Sequence, residues 1–134
     1  MSTEEEILKA NRMVGLSSNP ERPNHIVASY LRENGYRIIP VNPNEKSILG
    51  KTSYSDLASI PERVDAVDIF RRSEDVVPIV QEAIRIGAKA VWMQEGVVNA
   101  EAADIARRTG LKVVMDRCMR KEHQKLQGRS YQPD

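Results

Sequence analysis

Several features that mark particular classes of protein are scarce in this sequence of 134 residues. It has one cysteine, Cys118, so no internal disulfide can form, and this suits a reducing compartment. Aromatic residues make up 4%, which argues against a surface that stacks single-stranded nucleic acid. The net charge is +1, so no strong field attracts DNA or a membrane surface. We therefore expect neither nucleic acid nor a membrane as a partner.

Long apolar runs are also missing, and none approaches the ~20 residues of a membrane-spanning helix. The segment Met1–Glu6 is acidic where a secretory signal peptide is basic. Both features predict a cytoplasmic protein. What the sequence does have is 40% hydrophobic and 29% charged residues, the composition of a globular domain with its own core. We expect a single domain over residues 1–134, in which 128–134 form a flexible tail.

Short apolar segments alternate with amphipathic ones along the chain, and a glycine follows three of the amphipathic segments. Consecutive apolar residues in several short segments are typical of strands covered on both faces. The predicted strands are Arg12–Gly15, Tyr36–Val41, Ala66–Phe70, Ala88–Met93 and Lys112–Met115. This alternation predicts an α/β fold, a Rossmann-like doubly wound parallel sheet of about five strands in the order 3-2-1-4-5, with helices on both faces.

The helices of this fold are predicted from their stripes and caps. One starts with Pro23 in its first turn, one follows Ser73 as N-cap, and one opens at Asn99. A short helix is expected around Asp56–Ala58 and a basic helix over Met119–Gln127. In such a sheet a ligand binds at the carboxyl ends of the strands, so the loops there carry the functional prediction.

The loop after the first strand reads Gly15-Leu16-Ser17-Ser18-Asn19-Pro20. Gly15 is expected to let the chain turn sharply, and the two serine hydroxyls and the N–H groups of the next helix could bind a pyrophosphate. The dinucleotide fingerprint has three glycines, of which only the first is present. A polar turn without a ligand is the alternative.

The second strand ends at Asn42, where NAD-dependent dehydrogenases usually have an acidic residue for the ribose diol. An uncharged side chain weighs against NAD and tolerates a ribose that carries a 3′-phosphate. Lys46 lies close enough in sequence to meet such a phosphate. The segment Asn42-Pro43-Asn44 could also be only a turn.

Polar and aromatic side chains also follow the third and fourth strands. Arg71 and Arg72 stand beside a helix N-terminus, a favourable place for phosphate oxygens, and Phe70 offers an apolar wall to an adenine ring or an aliphatic arm. After the fourth strand, Gln94 and Glu95 can orient a ligand by hydrogen bonding. Loop arginines can also be merely solvated.

Together these strand ends resemble the CoA-binding domain family, small Rossmann-like proteins similar to the N-terminal domain of the succinyl-CoA ligase alpha subunit. The resemblance extends from Ile7 to Leu126 and depends on five segments that occur in the same order. They are Val14–Ser17, Pro40–Pro43, Val67–Arg72, Ala90–Gln94, and Val114–Cys118 followed by Glu122-His123. The ligase's phosphohistidine and nucleotide-grasp domains have no counterpart here, and neither His25 nor His123 lies in a matching motif. Asn11-Arg12 stands where the family has aliphatic residues.

The resemblance implies coenzyme A as the ligand. By analogy with the ligase, it implies contacts from the loop after the first strand, from Lys46 and from the segment after the fourth strand. With the residues argued above, the candidate coenzyme-binding set is Gly15, Leu16, Ser17, Ser18, Asn19, Pro20, Asn42, Pro43, Lys46, Phe70, Arg71, Met93, Gln94 and Glu95.

No convincing catalytic or metal-binding constellation is predicted. Cys118 would need His25 or His123 and an orienting acid, and His123, five residues further along a predicted helix, lies on another face. We expect a stand-alone module that binds coenzyme A or an acyl-CoA, a carrier or sensor rather than an enzyme. A subunit of an acyl-CoA ligase and a sensor of NAD or another nucleotide are the alternatives. Cys118 could also form a mixed disulfide with the coenzyme thiol, and an oligomer is possible.

Overall fold

The computed structural model describes residues 1–19 and 24–130, with side chains described to residue 128. Its helices are α1 (Thr3–Ala10), α2 (His25–Glu33), α3 (Val76–Arg85), α4 (Ala100–Arg108) and α5 (Met119–Ser130). A parallel sheet contains β1 (Met13–Ser17), β2 (Arg37–Val41), β5 (Ala66–Ile69), β6 (Ala90–Met93) and β7 (Lys112–Val114), while β3 (Ser47–Ile48) and β4 (Lys51–Thr52) form an antiparallel pair. The predicted α/β fold with a five-stranded parallel sheet is confirmed.

The strand order of the sheet is β2-β1-β5-β6-β7, which is 2-1-3-4-5 when the five strands are counted along the chain. The predicted order 3-2-1-4-5 is wrong. The outer edge of β2 is already occupied by the backbone of Tyr54. Its N–H donates to the Pro40 carbonyl, and its carbonyl accepts from the Asn42 N–H. The chain returns across β1 instead, and β5 pairs there, with Val67 opposite Gly15. The strand order therefore reverses between β1 and β5.

Gly15 explains how the returning chain fits under the sheet. It lies within β1, and a Cβ there would stand 3.2 Å from Val64 Cγ1 and 3.4 Å from Leu57 Cδ2. The connection from β2 to β5 thus packs directly on the β1 backbone, with Leu57 in a 3₁₀ turn (Leu57–Ser59) where a short helix is predicted around Asp56–Ala58. Asp56 is the N-cap of this turn. The expectation that Gly15 makes a turn after the strand is wrong, since the strand continues to Ser17.

Helix α1 occupies the segment before the first strand, which the sequence analysis left unassigned. Ser2 caps it by accepting from the Glu5 N–H, and Ile7 and Leu8 are buried against the sheet. The helix ends at Ala10 with Asn11 as its C-cap, and β1 begins at Met13 rather than at Arg12. The polar pair before the strand is therefore the end of a helix.

Two helix boundaries differ from the prediction. Ser73 begins a 3₁₀ turn (Ser73–Asp75) before α3, and its Oγ accepts from the Val98 N–H instead of capping a helix. Helix α5 runs to Ser130, beyond Gln127, so residues 128–130 are helical rather than part of a tail. The reason is that Gly128 does not adopt the positive φ that ends a helix.

The predicted cap of α4 is confirmed, because Asn99 accepts from the Ala102 N–H. Pro23 and residues 131–134 lie outside the described residues.

Each face of the sheet covers its own core. One core cluster joins the sheet to α3 and α4, and the other joins it to α1, α2 and α5. Trp92 is fully buried in the second cluster. None of the helices in the described part of the chain has the length and apolar character of a membrane span.

Candidate functional site

A crevice with a volume of about 520 Å³ opens at the carboxyl ends of β1, β5 and β6. It lies where the strand order reverses, the usual ligand position in open α/β sheets, and its size suits a small molecule. The loops after these three strands and the first turn of α2 form its walls. The described residues that line it are Asn19, Asn24, His25, Ile26, Phe70, Arg71, Arg72, Gln94, Glu95 and Val97.

The first turn of α2 forms one wall of the crevice. Asn24 caps this helix through its Oδ1, which accepts from the Val27 N–H at 3.0 Å. His25 and Ile26 follow on the first turn, and Ile26 is 71% exposed although it is a large apolar residue. The wall thus combines the positive end of a helix dipole with an apolar surface.

The two arginines after β5 differ in their partners. Arg72 Nε lies 3.2 Å from Asp75 Oδ2 and 3.6 Å from Glu74 Oε1, so its charge is engaged locally. Arg71 is partly buried in the crevice wall, and it forms no ion pair in the described ranges 1–19 and 24–130. Arg71 is therefore the guanidinium with hydrogen-bond donors to offer a ligand.

The segment after β6 contributes a buried amide and a surface carboxylate. Gln94 is 3% exposed, and its Nε2 lies 2.6 Å from Asp68 Oδ1 on the neighbouring strand. Burial, opposed by this hydrogen bond, raises the pKa of Asp68 to about 8. Glu95 is exposed and forms an ion pair with Lys121, 3.0 Å away, so its negative charge at the rim is balanced.

The loops after β1 and β2 hold each other in place beside the crevice. Asn42 is fully buried, its Nδ2 donates to the Asn19 carbonyl at 3.1 Å, and its Oδ1 accepts from the Asn44 N–H at 2.9 Å. Ser17 and Ser18 are buried too, and the Ser18 N–H donates to the Val41 carbonyl. Asn42 thus has a positioning role in the structure, tying the two loops together.

Five of the predicted site residues come together in the crevice lining: Asn19, Phe70, Arg71, Gln94 and Glu95. The remaining predicted residues lie elsewhere, and they fall into groups by environment. Leu16 and Met93 are buried in the two core clusters, Gly15 is packed within its strand, and Ser17, Ser18 and Asn42 are enclosed beneath the loops. Pro43 and Lys46 are exposed outside the described lining, and Pro20 lies outside the described residues.

The sequence analysis expected N–H groups of the helix after the first strand at the site, but it missed the side chains of that helix's first turn and the carboxyl group beneath Gln94. His25 and Ile26 carry a usable signal, because the helix that follows the first strand begins at the crevice in this fold. Asp68 carries another, since a lone acidic residue within a strand covered on both faces marks a buried ionisable group.

Cys118 and His123 lie on the α5 side of the sheet. Cys118 belongs to the second core cluster, while Nδ1 of His123 is 2.6 Å from the Tyr30 hydroxyl. Burial lowers the pKa of His123. Neither side chain is among the described residues that line the crevice, and those residues contain no group of three or more His, Cys, Asp or Glu positioned to hold a metal ion.

Comparison with known proteins assigns the chain to a family. Residues 9–124 match the CoA binding domain family. Over 121 residues the chain is 38% identical to uncharacterized protein YneT of Bacillus subtilis (strain 168). The aligned segment covers 88% of this chain and 90% of YneT. A hypothetical protein of Pyrococcus horikoshii OT3 with a solved structure is 37% identical, with a TM-score of 0.88 over 96% of this chain and 94% of that one.

The same fold occurs within a larger enzyme. A dinucleotide-forming acetyl-coenzyme A synthetase of Ca. Korarchaeum cryptofilum superposes with a TM-score of 0.69 at 18% identity, over 86% of this chain and 28% of the synthetase. At that identity the likeness shows the shared fold alone. The match over residues 9–124 and the identity to YneT go further, and with them the chain belongs to the CoA binding domain family.

Proposed function

We propose that this chain is a stand-alone module that binds coenzyme A, or an acyl-CoA, in the crevice at the strand reversal, and that it acts as a carrier or sensor. The observation that carries the proposal is the joint placement of Arg71, the α2 N-terminus and Phe70 around one cavity. Membership of the CoA binding domain family supports coenzyme A as the ligand.

The chemistry of the crevice fits the parts of the coenzyme. Its phosphates need cationic donors and free N–H groups, which Arg71 and the first turn of α2 supply. Its adenine ring and aliphatic arm need apolar contacts, which Phe70, Ile26 and Val97 offer. The Gln94 amide adds hydrogen bonding at the crevice floor, so each chemical part of the ligand has a counterpart.

Binding without chemistry is supported by the titratable groups of the described lining. Apart from the arginines these are His25 and Glu95, and Glu95 is held by Lys121. Neither is hydrogen-bonded to a nucleophilic side chain in the described part of the site, which a catalytic pair requires. Cys118 lies in the core rather than in the lining, so a mixed disulfide with the coenzyme is not part of the proposal.

A subunit of an acyl-CoA ligase is the second candidate, and the synthetase comparison favours it. The shared fold covers 28% of that synthetase, so such a module can be one part of a larger enzyme. In that case this chain needs a partner that supplies the phosphoryl-transfer step. Purification from its native source distinguishes the two, because a ligase subunit is expected to co-purify with a nucleotide-grasp or phosphohistidine chain.

Calorimetry with coenzyme A, dephospho-coenzyme A, NAD and ATP at matched salt tests the proposal. We expect coenzyme A to bind and dephospho-coenzyme A to bind at least tenfold more weakly, which corresponds to about 1.4 kcal/mol for the 3′-phosphate. NAD and ATP are expected to bind more weakly than coenzyme A, because the residue directly after β2 is the uncharged Asn42 rather than the acidic residue that usually holds a ribose diol. Absence of coenzyme A binding would contradict the proposed function.

Three arginine and lysine variants locate the phosphates. Arg71→Ala is expected to weaken coenzyme A binding, because Arg71 is the unpaired cation of the described lining. Lys46→Ala tests the lysine that sequence analysis predicts for the 3′-phosphate. This variant is expected to reduce the difference in affinity between coenzyme A and dephospho-coenzyme A, without changing the affinity for dephospho-coenzyme A. Arg107→Ala on α4 is the control, because Arg107 is exposed and is not among the described lining residues. If Arg71→Ala behaves like Arg107→Ala, the phosphate assignment is wrong.

A further inference from the structure

The carboxyl group of Asp68 lies directly beneath the crevice, sealed from solvent. Its in-register neighbours are Leu16 on β1 and Trp92 on β6, both fully buried apolar residues. Oδ1 lies 2.6 Å from Gln94 Nε2, and Oδ2 has no hydrogen-bond partner within residues 1–19 and 24–130. Gln94 in turn lines the crevice, so one side chain, that of Gln94, lies between Asp68 and the ligand site.

An ionised carboxylate costs free energy in such a place, because two apolar neighbours and one amide stand where water would otherwise solvate the charge. Burial accordingly raises the pKa of Asp68 to about 8, and near neutral pH the group is predominantly a carboxylic acid. A carboxylic acid has one O–H to donate, whereas a carboxylate can only accept. The direction of the hydrogen bond with Gln94 therefore depends on the proton of Asp68.

The amide of Gln94 can turn either end toward Asp68 by a half-turn about its terminal bond. If Asp68 carries its proton, it donates to Gln94 Oε1, and the amide NH₂ is left facing the crevice. A separation of 2.6 Å lies within the usual range of an O–H···O bond and below that of an N–H···O bond. If Asp68 is ionised, Nε2 donates to it, and Oε1 faces the crevice.

We propose that Asp68 is a positioning residue that fixes the polarity of Gln94, so that the crevice floor presents an N–H donor to an oxygen acceptor of the ligand, a phosphate or an amide carbonyl. This inference depends on the proposed function, since coenzyme A supplies both kinds of acceptor. Loss of the proton reverses the amide and places a carbonyl oxygen against the ligand oxygen. Coenzyme affinity then falls as Asp68 ionises.

Other titratable or charged groups lie on this side of the sheet. His25 and Tyr30 belong to α2, Cys118 and His123 to α5, and Arg71 and Glu95 border the crevice. Burial raises the pKa of Tyr30 and lowers that of His123, so neither is expected to change charge between pH 7 and 9. A variant at Asp68 separates its contribution from those of the remaining groups.

The test measures coenzyme A affinity by calorimetry from pH 6.5 to 9.5 at constant ionic strength. The wild type is expected to lose at least tenfold in affinity, with a midpoint near the pKa of Asp68. Asp68→Asn keeps a neutral side chain that has no proton to lose in this range, so its affinity should not change with pH. Asp65→Asn is the matched control, because Asp65 is also buried but lies at the other end of β5, paired with Arg63. It should keep the wild-type profile.

A second measurement follows the Gln94 side-chain amide by ¹⁵N NMR without ligand. Its signal should titrate near pH 8 in the wild type and remain fixed in Asp68→Asn. A flat wild-type affinity profile, or an Asp68→Asn profile that declines like the wild type, overturns the inference. Absence of coenzyme binding at every pH contradicts the proposed function instead. The NMR titration then decides by itself whether Asp68 controls the amide, even if the Asp68→Asn protein does not fold, because an untitrated wild-type signal refutes that control.

Discussion

The side of the sheet covered by α3 and α4 differs in chemistry from the side covered by α1, α2 and α5. The first core is built mainly from valine, isoleucine and alanine, and Ala102 and Ala106 let α4 pack closely on the sheet. The second core has larger side chains and encloses polar groups, among them Asp68 and His123. Buried polar groups are costly, so their concentration on the side that carries α2 and the crevice indicates a functional use.

The largest expected effect comes from Trp92, the anchor of the crevice side. Trp92→Ala should lower the free energy of unfolding by about 3–5 kcal/mol, since it empties a large buried volume. It also removes the 2.8 Å hydrogen bond from the Trp92 indole to the Arg117 carbonyl. Met93→Ala, the adjacent buried residue on the other side, should cost less within a range of about 2–5 kcal/mol. Urea unfolding measures both, and equal losses would contradict the stated difference between the two sides.

The next largest effect is expected in the pH dependence of stability, which should come from Asp68 on the crevice side of the sheet. The pKa of Asp68 is about 8 in the folded protein, against 3.8 for the ordinary side chain. The contribution of this group to the free energy of unfolding is therefore complete below pH 3.8 and is lost as the pH rises toward 8. Between pH 5 and 7 the unfolding free energy of the wild type, relative to Asp68→Asn, should fall by about 1.4 kcal/mol per pH unit. His123 acts oppositely below its usual pKa of 6.5, but it is common to both proteins and cancels in the difference. A difference that does not vary with pH would contradict the burial of an ionisable Asp68.

On the side opposite the crevice, the close approach at Gly15 should also be measurable. Gly15→Val should cost about 1–3 kcal/mol, because the added carbons meet Val64, whose Cγ1 would lie 3.2 Å from the added Cβ. Val64→Ala in the same chain should recover part of that loss by making room. Denaturant titration of the two single variants and the double variant gives the coupling, and strict additivity would show that the two residues do not pack together.

The smallest expected effects come from the caps of two helices on opposite sides. Asn24→Ala and Asn99→Ala each remove an N-cap hydrogen bond and should cost about 1 kcal/mol of stability. Only Asn24 lines the crevice, so only Asn24→Ala should also weaken coenzyme A binding. Thermal unfolding and calorimetry on the same samples provide the check, and an equal loss of affinity in Asn99→Ala would contradict it.

The sequence was sufficient for the fold class because local patterns determine it. The strands over Tyr36–Val41 and Ala66–Phe70 are recognisable from short apolar runs, and their ends point to the loops that line the crevice. The strand order was not predictable in the same way. It depends on the packing of Val64 under Gly15 and on Tyr54 beside β2, which are contacts between distant segments.

The candidate site was predicted in part for a related reason. Arg71 and Gln94 follow strand ends, so their place in the crevice is readable from the alternation of strands and helices. Ser18 and Asn42 also follow strand ends, yet they are enclosed, because the two loops cover each other. Whether a polar side chain at a strand end faces a ligand or the neighbouring loop is decided by tertiary contacts.

The backbone pairing of Tyr54 beside β2 has a consequence for the behaviour of the chain at high concentration. An outermost strand with unsatisfied N–H and C=O groups is a template on which another chain can add a strand and begin to aggregate. Here Pro40 has no N–H to offer, its carbonyl accepts from Tyr54, and the N–H of Asn42 donates back to Tyr54. Substitutions that pull Tyr54 away from this edge should therefore promote self-association even where they leave the crevice intact.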